Sequence, residues 1–412
     1  MPPSAAVLSL LLLLTAAGAQ AAERPLDIFE TVWREAKAGI YLQELATKHF
    51  TDSRYEALKA QAATAEDLYA LTPLINDFLA ELGVSHTRFY DDRSLAFYLF
   101  RSMFTTRALD DPPVRHIGIQ HATVGGAHVV RELLHGYPAA RAGLRRGDIL
   151  LQANGEAYAH ARVINPPGGT VDLLFRRNDA IRRVAVETVH ENPNRSFHDA
   201  MLNSAATFRV AGRDVGYVHL WSGTHPRILR SFTALMRDRF AGHDAMVLDL
   251  RGGYGGAWYD YLDPFFPDRT GYYRFAVHDR HGRSEHRAEP KTNPHHFAGP
   301  MVVLINEGTR SGKEALAYQF KATGRAPLIG ATTRGAFLAG RAIFTDPAKP
   351  YFLFLAAAEP RLDGNRLEGR GVDPDIAVAY PLDRSSATDP QLAAALGEIA
   401  RQLRAGEPGT GD

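Results

Sequence analysis

Apolar positions recur along this chain with a spacing that changes from one stretch to the next. Between residues 24 and 110 the period is helical. Ile28, Phe29, Val32, Trp33 and Ala36 fall on one face, and Leu68, Leu71, Leu74, Ile75, Phe78, Leu79 and Leu82 repeat the pattern over 65–82. Thr64, followed by Glu66 and Asp67, predicts the cap of that second helix, and Gly83 predicts its stop. Asp110-Asp111-Pro112-Pro113 reads as a linker. From 114 to 191 the pattern becomes short strands at 114–120, 127–133, 148–152, 171–176 and 183–187, with a short helix and turn over 138–147. From about 195 to 382 compact apolar strands at 214–220, 245–249, 300–305 and 327–329 enclose helical patterns at 228–240 and 313–323. Apolar strands separated by helices predict a largely parallel sheet covered on both faces. The pattern divides the chain into a leader (1–22), an α-helical domain (23–111), a β-rich domain (112–192), an α/β core (193–384) and a C-terminal helix and tail (385–412).

The leader changes the picture of where the protein works. Its apolar block at 5–14 is too short for a membrane span of about 20 residues, and Ala19-Gln20-Ala21 is an A-x-A cleavage site. Export to the periplasm, a mature chain starting near Ala22 and no membrane segment thereafter are the expectations, although no Lys or Arg precedes the apolar block. With no Cys, the chain has neither disulfides nor a lipid anchor and must hold together by its core. A net charge of +1 gives no reason to expect nucleic acid or a membrane surface as partner. The 17 His are scattered without HExxH or paired ligand spacing, so neither a metal nor any cofactor is expected.

Four segments carry chemistry. Ser311 lies in Asn306-Glu307-Gly308-Thr309-Arg310-Ser311-Gly312, between a predicted strand and a predicted helix. A serine there is exposed at the carboxyl edge of a sheet beside backbone N–H groups, which suits a nucleophile, and equally suits a plain N-cap. Asp249-Leu250-Arg251-Gly252-Gly253-Tyr254-Gly255-Gly256 runs a strand into a glycine loop that lets backbone N–H groups approach a ligand. It lacks the Gly-Lys-Ser/Thr end of a phosphate loop. Ser85-His86-Thr87 is a turn that holds either a surface histidine or a base. Glu368, in Arg366-Leu367-Glu368-Gly369-Arg370-Gly371-Val372-Asp373-Pro374-Asp375, is placed either to pair with a neighbouring Arg or to orient a catalytic group.

Together these segments resemble the C-terminal-processing (tail-specific) peptidase superfamily. Gly136-Tyr137-Pro138-Ala139-Ala140-Arg141-Ala142-Gly143-Leu144-Arg145-Arg146-Gly147-Asp148-Ile149-Leu150, continuing to Asn154-Gly155, resembles the PDZ pattern. The resemblance implies a multidomain serine peptidase with an α-helical N-terminal domain, a β-rich PDZ domain and an α/β core of the ClpP/crotonase type. The Ser-Lys version of the superfamily carries its Lys 25 residues after the nucleophile, where this chain has Ala336. Lys313 is no substitute, because residues i and i+2 of a helix do not face each other. The tricorn-core-like branch instead draws a His from the front domain, oriented through a Ser and a Glu. This implies Ser311 as nucleophile, His86 as base, and Ser85 and Glu368 as its orienting groups, with Glu368 57 residues after Ser311. It further implies an oxyanion site at the N–H groups of Gly255 or Gly256 and Gly312. The PDZ domain would bind polypeptide C-termini at Arg115, His116, Ile117, Gly118 and Ile119, with Arg115 or His116 aiding electrostatically. The alternative is a non-catalytic periplasmic protein that binds peptides or lipophiles on the same fold, since Arg310 and Gly312 stand where the superfamily usually has small residues such as Ala.

Overall fold

Four strands of largely apolar character have to be covered on both faces, and the chain supplies a layer for each face. The computed structural model describes residues 23–344, 346 and 348–405; the predicted leader and the extreme tail lie outside them. The central sheet orders its strands as Ala206–Val210, Arg213–His219, Ala245–Asp249, Met301–Ile305, Leu328–Gly330 and Ile376–Ala377, antiparallel only at the first pair. Side chains alternate across it. Met246, Leu248, Val303 and Ile305 join Phe232, Phe265 and Phe320 on one face, whereas Ala245, Val247, Val302 and Leu304 meet Ala395 and Ile399 of the helix Pro390–Ala405 on the other.

A second sheet escaped the sequence pattern. Its spine is the twelve-residue strand Tyr351–Leu362, paired antiparallel with Phe275–Asp279, Ala339–Ile343 and Arg88–Asp91. The last of these belongs to the front of the chain, with Arg88 opposite Phe354 and Asp91 opposite Tyr351. The front helices Pro25–Gly39, Asp52–Ala62 and Leu68–Ala80 pack their apolar faces on the same spine, through Tyr351, Leu353 and Leu355, with Leu338 beside them. The front is therefore helical only in part, and it is built into the C-terminal half. The cap of Leu68–Ala80 is Asp67, whose carboxylate takes the Ala70 N–H at 2.8 Å, and not Thr64, whose hydroxyl bonds Gln61 O. Gly83 stops the chain as expected, with φ +65° and its N–H on Ala80 O.

Residues 119–187 form an antiparallel sheet in the order Ile119–Val124, Ala127–Leu133, Ile149–Ala153, Thr170–Arg177 and Ala180–Glu187, around a small core of Ile117, Val130, Leu150, Leu173 and Phe175. This unit is docked on the central one. Gln120 Oε1 accepts the Gly253 N–H at 2.8 Å. The buried Arg146 joins Glu132 at 3.0 Å, Glu307 at 2.7 Å and Tyr380 O at 2.9 Å.

Candidate active site

Ser311 sits where the buried strand Met301–Ile305 gives way to the helix Gly312–Ala322. The turn between them is tied down from both sides. Asn306 Oδ1 accepts the Gly252 and Gly308 N–H groups at 3.0 and 2.9 Å, and Thr309 Oγ1 donates to Leu250 O at 2.9 Å. Ser311 itself adopts φ +54° and ψ −131°, a sparsely populated conformation that costs about 1–3 kcal/mol. Glu314 holds it there. This buried carboxylate accepts N–H bonds from Ser311 at 2.9 Å, Gly335 at 2.7 Å and Ala336 at 3.0 Å, and a hydroxyl bond from Thr333 at 2.6 Å. Burial raises its pKa, against the pull of those four donors. Ser311 is the N-cap of this helix, in a capping box with Glu314, so the capping reading holds for its backbone position.

The hydroxyl also faces a histidine from the other end of the chain. His86 Nε2 is 3.3 Å from Ser311 Oγ. His86 Nδ1 is 2.7 Å from Ser85 Oγ, and Ser85 Oγ donates to Glu368 Oε2 at 2.8 Å. Glu368 also accepts the Ser85 N–H at 2.8 Å and the Phe337 N–H at 2.7 Å. Because Ser85 gives its proton to the carboxylate, it accepts from His86 Nδ1–H, which leaves the Nε2 lone pair for Ser311. His86 also takes a positive φ, of 56°, and its ring leans on Phe354 at 5.8 Å between centroids. Burial, with Arg310 nearby, pushes the imidazole pKa down to about 3, so the ring is neutral near pH 7.

The glycine loop closes the third side. A Cβ on Gly255 would lie 2.5 Å from Ser311 Cβ and 3.0 Å from its Oγ, so only glycine permits this approach. The N–H groups of Gly255, Gly256 and Gly312 take no hydrogen-bond acceptor among the described residues. Lys313 is fully buried and points into this loop. Its Nζ lies 2.6 Å from Gly252 O, 3.2 Å from Leu220 O and 3.3 Å from Trp221 O, and burial brings its pKa down to about 7. The amine is thus spent on carbonyls and not on Ser311. Ala336 accepts the Ser311 N–H at 3.0 Å, so the position that carries an amine in Ser-Lys enzymes contributes only backbone here. A cavity of about 260 Å³ opens beside Ser311, lined by Phe100, Met103, Phe104, Tyr254, Phe337 and Phe354 among others. Among the described residues no group of His, Asp and Glu side chains is arranged to hold a metal ion.

Residues 115–119 are not brought to this site, and they are otherwise engaged. His116 is buried, with Nδ1 accepting the Gly118 N–H at 3.1 Å and Nε2 3.0 Å from Ser196 Oγ. Burial lowers its pKa to about 4, so the charge expected of it as an aid to carboxylate binding is absent at neutral pH. Ile117 and Ile119 lie in the local core, while Arg115 is exposed with its N–H on Asn165 Oδ1. Sequence reasoning also passed over Glu314 and Lys313's carbonyl cage. Of these, Glu314 had a legible signal, since Ser311-Gly312-Lys313-Glu314 has the S-x-x-E spacing of a capping box.

Residues 214–378 match the profile of peptidase family S41, and residues 129–177 match that of a PDZ domain. Over those residues the core is similar to family S41 peptidases. Relatives in sequence include the tricorn protease of Thermoplasma volcanium, 22% identical over 92% of this chain and 36% of the relative. The carboxy-terminal processing protease CtpB of Bacillus subtilis is 24% identical over 66% of this chain and 56% of its own. The chain thus spans between a third and somewhat over half of these two relatives. A carboxyl-terminal-processing protease of Picosynechococcus is 26% identical over 75% of this chain and 72% of the relative. Among solved structures, the photosystem II D1 C-terminal processing protease superposes with a TM-score of 0.57 at 18% identity, covering 92% of this chain and 98% of that one. That likeness shows a shared fold over the helical front, the PDZ domain and the core.

Proposed function

We propose that the protein is an exported serine endopeptidase in which Ser311 attacks the scissile carbonyl and His86 acts as general base. The observation that carries this reading is the unbroken chain of polar contacts Ser311–His86–Ser85–Glu368, in which both Ser311 and His86 hold strained backbone conformations. Packing that maintains two such conformations side by side points to chemistry more than to capping. His86 takes the hydroxyl proton at Nε2 and returns it to the leaving amine. Glu368 acts through Ser85, fixing the tautomer and bearing part of the charge that develops on the ring. The free N–H groups of Gly312 and of Gly255 or Gly256 are the donors for the oxyanion. An apolar side chain of the substrate fits the cavity beside Ser311.

Substrates are unfolded or carboxyl-terminally recognised polypeptides, delivered by the PDZ domain. Strand Ile119–Val124 is an edge of its sheet, a place where an extended chain can add as a further strand. Work in the periplasm follows from the leader; among the described residues no helix is long and apolar enough to cross a membrane. Labelling with a fluorophosphonate tests the catalytic reading. The wild-type protein is expected to be labelled at Ser311 and the Ser311→Ala and His86→Ala variants to resist. An unlabelled wild-type protein would return the fold to a binding role.

A further inference from the structure

Lys313 is fully buried, and the proposed mechanism makes no use of its amine. It stands in the first turn of the helix Gly312–Ala322, two residues after Ser311. Four backbone carbonyls surround its Nζ: Gly252 O at 2.6 Å, Leu220 O at 3.2 Å, Trp221 O at 3.3 Å and Arg251 O at 3.4 Å. They come from two segments. Leu220 and Trp221 follow the strand Arg213–His219, and Arg251 and Gly252 follow the strand Ala245–Asp249. One side chain thus ties two strand exits to the helix that begins at the nucleophile.

These carbonyls are the footing of the glycine loop. The peptide unit between Gly252 and Gly253 is gripped at both ends, its C=O by Lys313 and its N–H by Gln120 Oε1 at 2.8 Å. Trp221 O also accepts the Tyr254 N–H at 2.9 Å, and a Cβ on Gly253 would lie 1.8 Å from that oxygen. The two amides that come next, of Gly255 and Gly256, are the oxyanion donors of the proposed mechanism. An ammonium has three N–H groups and a neutral amine has two. The charged form therefore serves this ring of carbonyls better, and deprotonation leaves two of the four contacts without a proton.

We propose that Lys313 is a positioning residue of the reaction, whose ammonium staples the glycine loop so that the Gly255 and Gly256 amides meet the oxyanion, and whose deprotonation loosens that loop. The assignment rests on the peptidase reading, which supplies the oxyanion. Asp249 and Glu132 act on the amine as carboxylates and Arg131 and Arg310 as cations, while His219, whose pKa burial lowers to about 3, is neutral beside it. Burial outweighs the carboxylates and brings the amine down to about 7, so the ammonium is present below that pH and lost above it.

Two measurements on the full chain test this. In the first, cleavage of an unstructured peptide by the wild type and by Lys313→Met is followed from about pH 5 to about pH 9. Wild-type kcat is expected to fall about tenfold as pH rises through about 7, with KM changed less than about threefold. Lys313→Met should run about 10²-fold below the wild type at about pH 6 and show no such limb, a pH signature that a merely structural role would not produce. In the second, amide hydrogen exchange of residues 252–254 is compared between the two proteins. Exchange should be about tenfold faster in Lys313→Met at about pH 6, and the ratio should shrink towards one by about pH 9. A variant kcat within about threefold of the wild type, with unchanged exchange, overturns the proposal and leaves the peptidase reading standing. Should Lys313→Met not fold, the wild-type profile decides alone, and a flat kcat across that range overturns the proposal. If no peptide is cut and fluorophosphonate leaves Ser311 unlabelled, yet exchange follows pH as stated, the peptidase reading fails and the staple on the loop remains.

Discussion

At the scale of single residues, the site depends on an imidazole held neutral between two hydroxyls. A general base must be unprotonated, and the His86 pKa is depressed from 6.5 to about 3. The acid limb of kcat/KM should therefore lie far below 6.5, with activity maintained from pH 7 down to about 5. Arg310→Gln removes a positive neighbour and should move that limb upward; a wild-type limb near 6.5 would contradict the assignment. Ser311→Ala and His86→Ala should each lower kcat by about 10⁴–10⁶, close to the limit set by the remaining oxyanion donors and binding contacts. Glu368→Gln and Ser85→Ala, which act through the ring, should cost about 10²–10⁴. At this scale the sequence was informative. Ser311, His86, Ser85 and Glu368 stand within contact distance as a set, although nothing in the periodicity around His86 marked it. Only the SHT and ExxGVxPD segments did so, by resemblance. Glu314 was missed although it stands in the first turn with capping-box spacing, because its burial depends on a loop about 20 residues further on.

At the scale of elements, two loops and one helix start are interlocked around the nucleophile. Replacing Gly255 by Ala pushes a methyl group against Ser311, so Gly255→Ala should lower kcat by about 10²-fold or more and cost about 1–3 kcal/mol of stability, read as a lower thermal transition. Lys313 gives the opposite kind of prediction, one of stability with pH. Its folded pKa of about 7 lies below the 10.5 of a free lysine, so between those values the unfolded chain binds more protons than the folded one. Stability of the wild type relative to Lys313→Met should thus rise with pH from about 7 to 10.5 and be flat below 7. Paired urea titrations across that range check it. The parallel core was legible because its strands are apolar throughout. The second sheet was not, since Gly282–His286 is exposed along its whole length and Ala339–Ile343 is only half-buried. Such strands carry no alternation to read, and their pairing partner lies elsewhere in the chain.

At the scale of the whole molecule, Arg146 is the rivet between the PDZ unit and the core. Arg146→Ala strips Glu132 of its cation inside the interface and leaves Glu307 free, at a cost of about 3–5 kcal/mol. The expected readouts are a lower denaturation midpoint and faster limited proteolysis of residues 112–192, with kcat reduced as Gln120 loses its grip on the Gly253 amide. Arrangements of this kind were beyond sequence reasoning, because Arg146 reaches partners 161 and 234 positions away. The same holds for strand Arg88–Asp91, which leaves a helical region to pair with a spine that begins at Tyr351. That pairing sets an order of events during synthesis. His86 leaves the ribosome early, Ser311 much later and Glu368 later still, and the turn that presents the imidazole has no sheet to lean on until residues 351–362 have been made. A chain that stops short of those strands therefore lacks the sheet that supports the proposed site. The geometry proposed for cutting is complete only with the last strands, so the fold acts as its own safety catch.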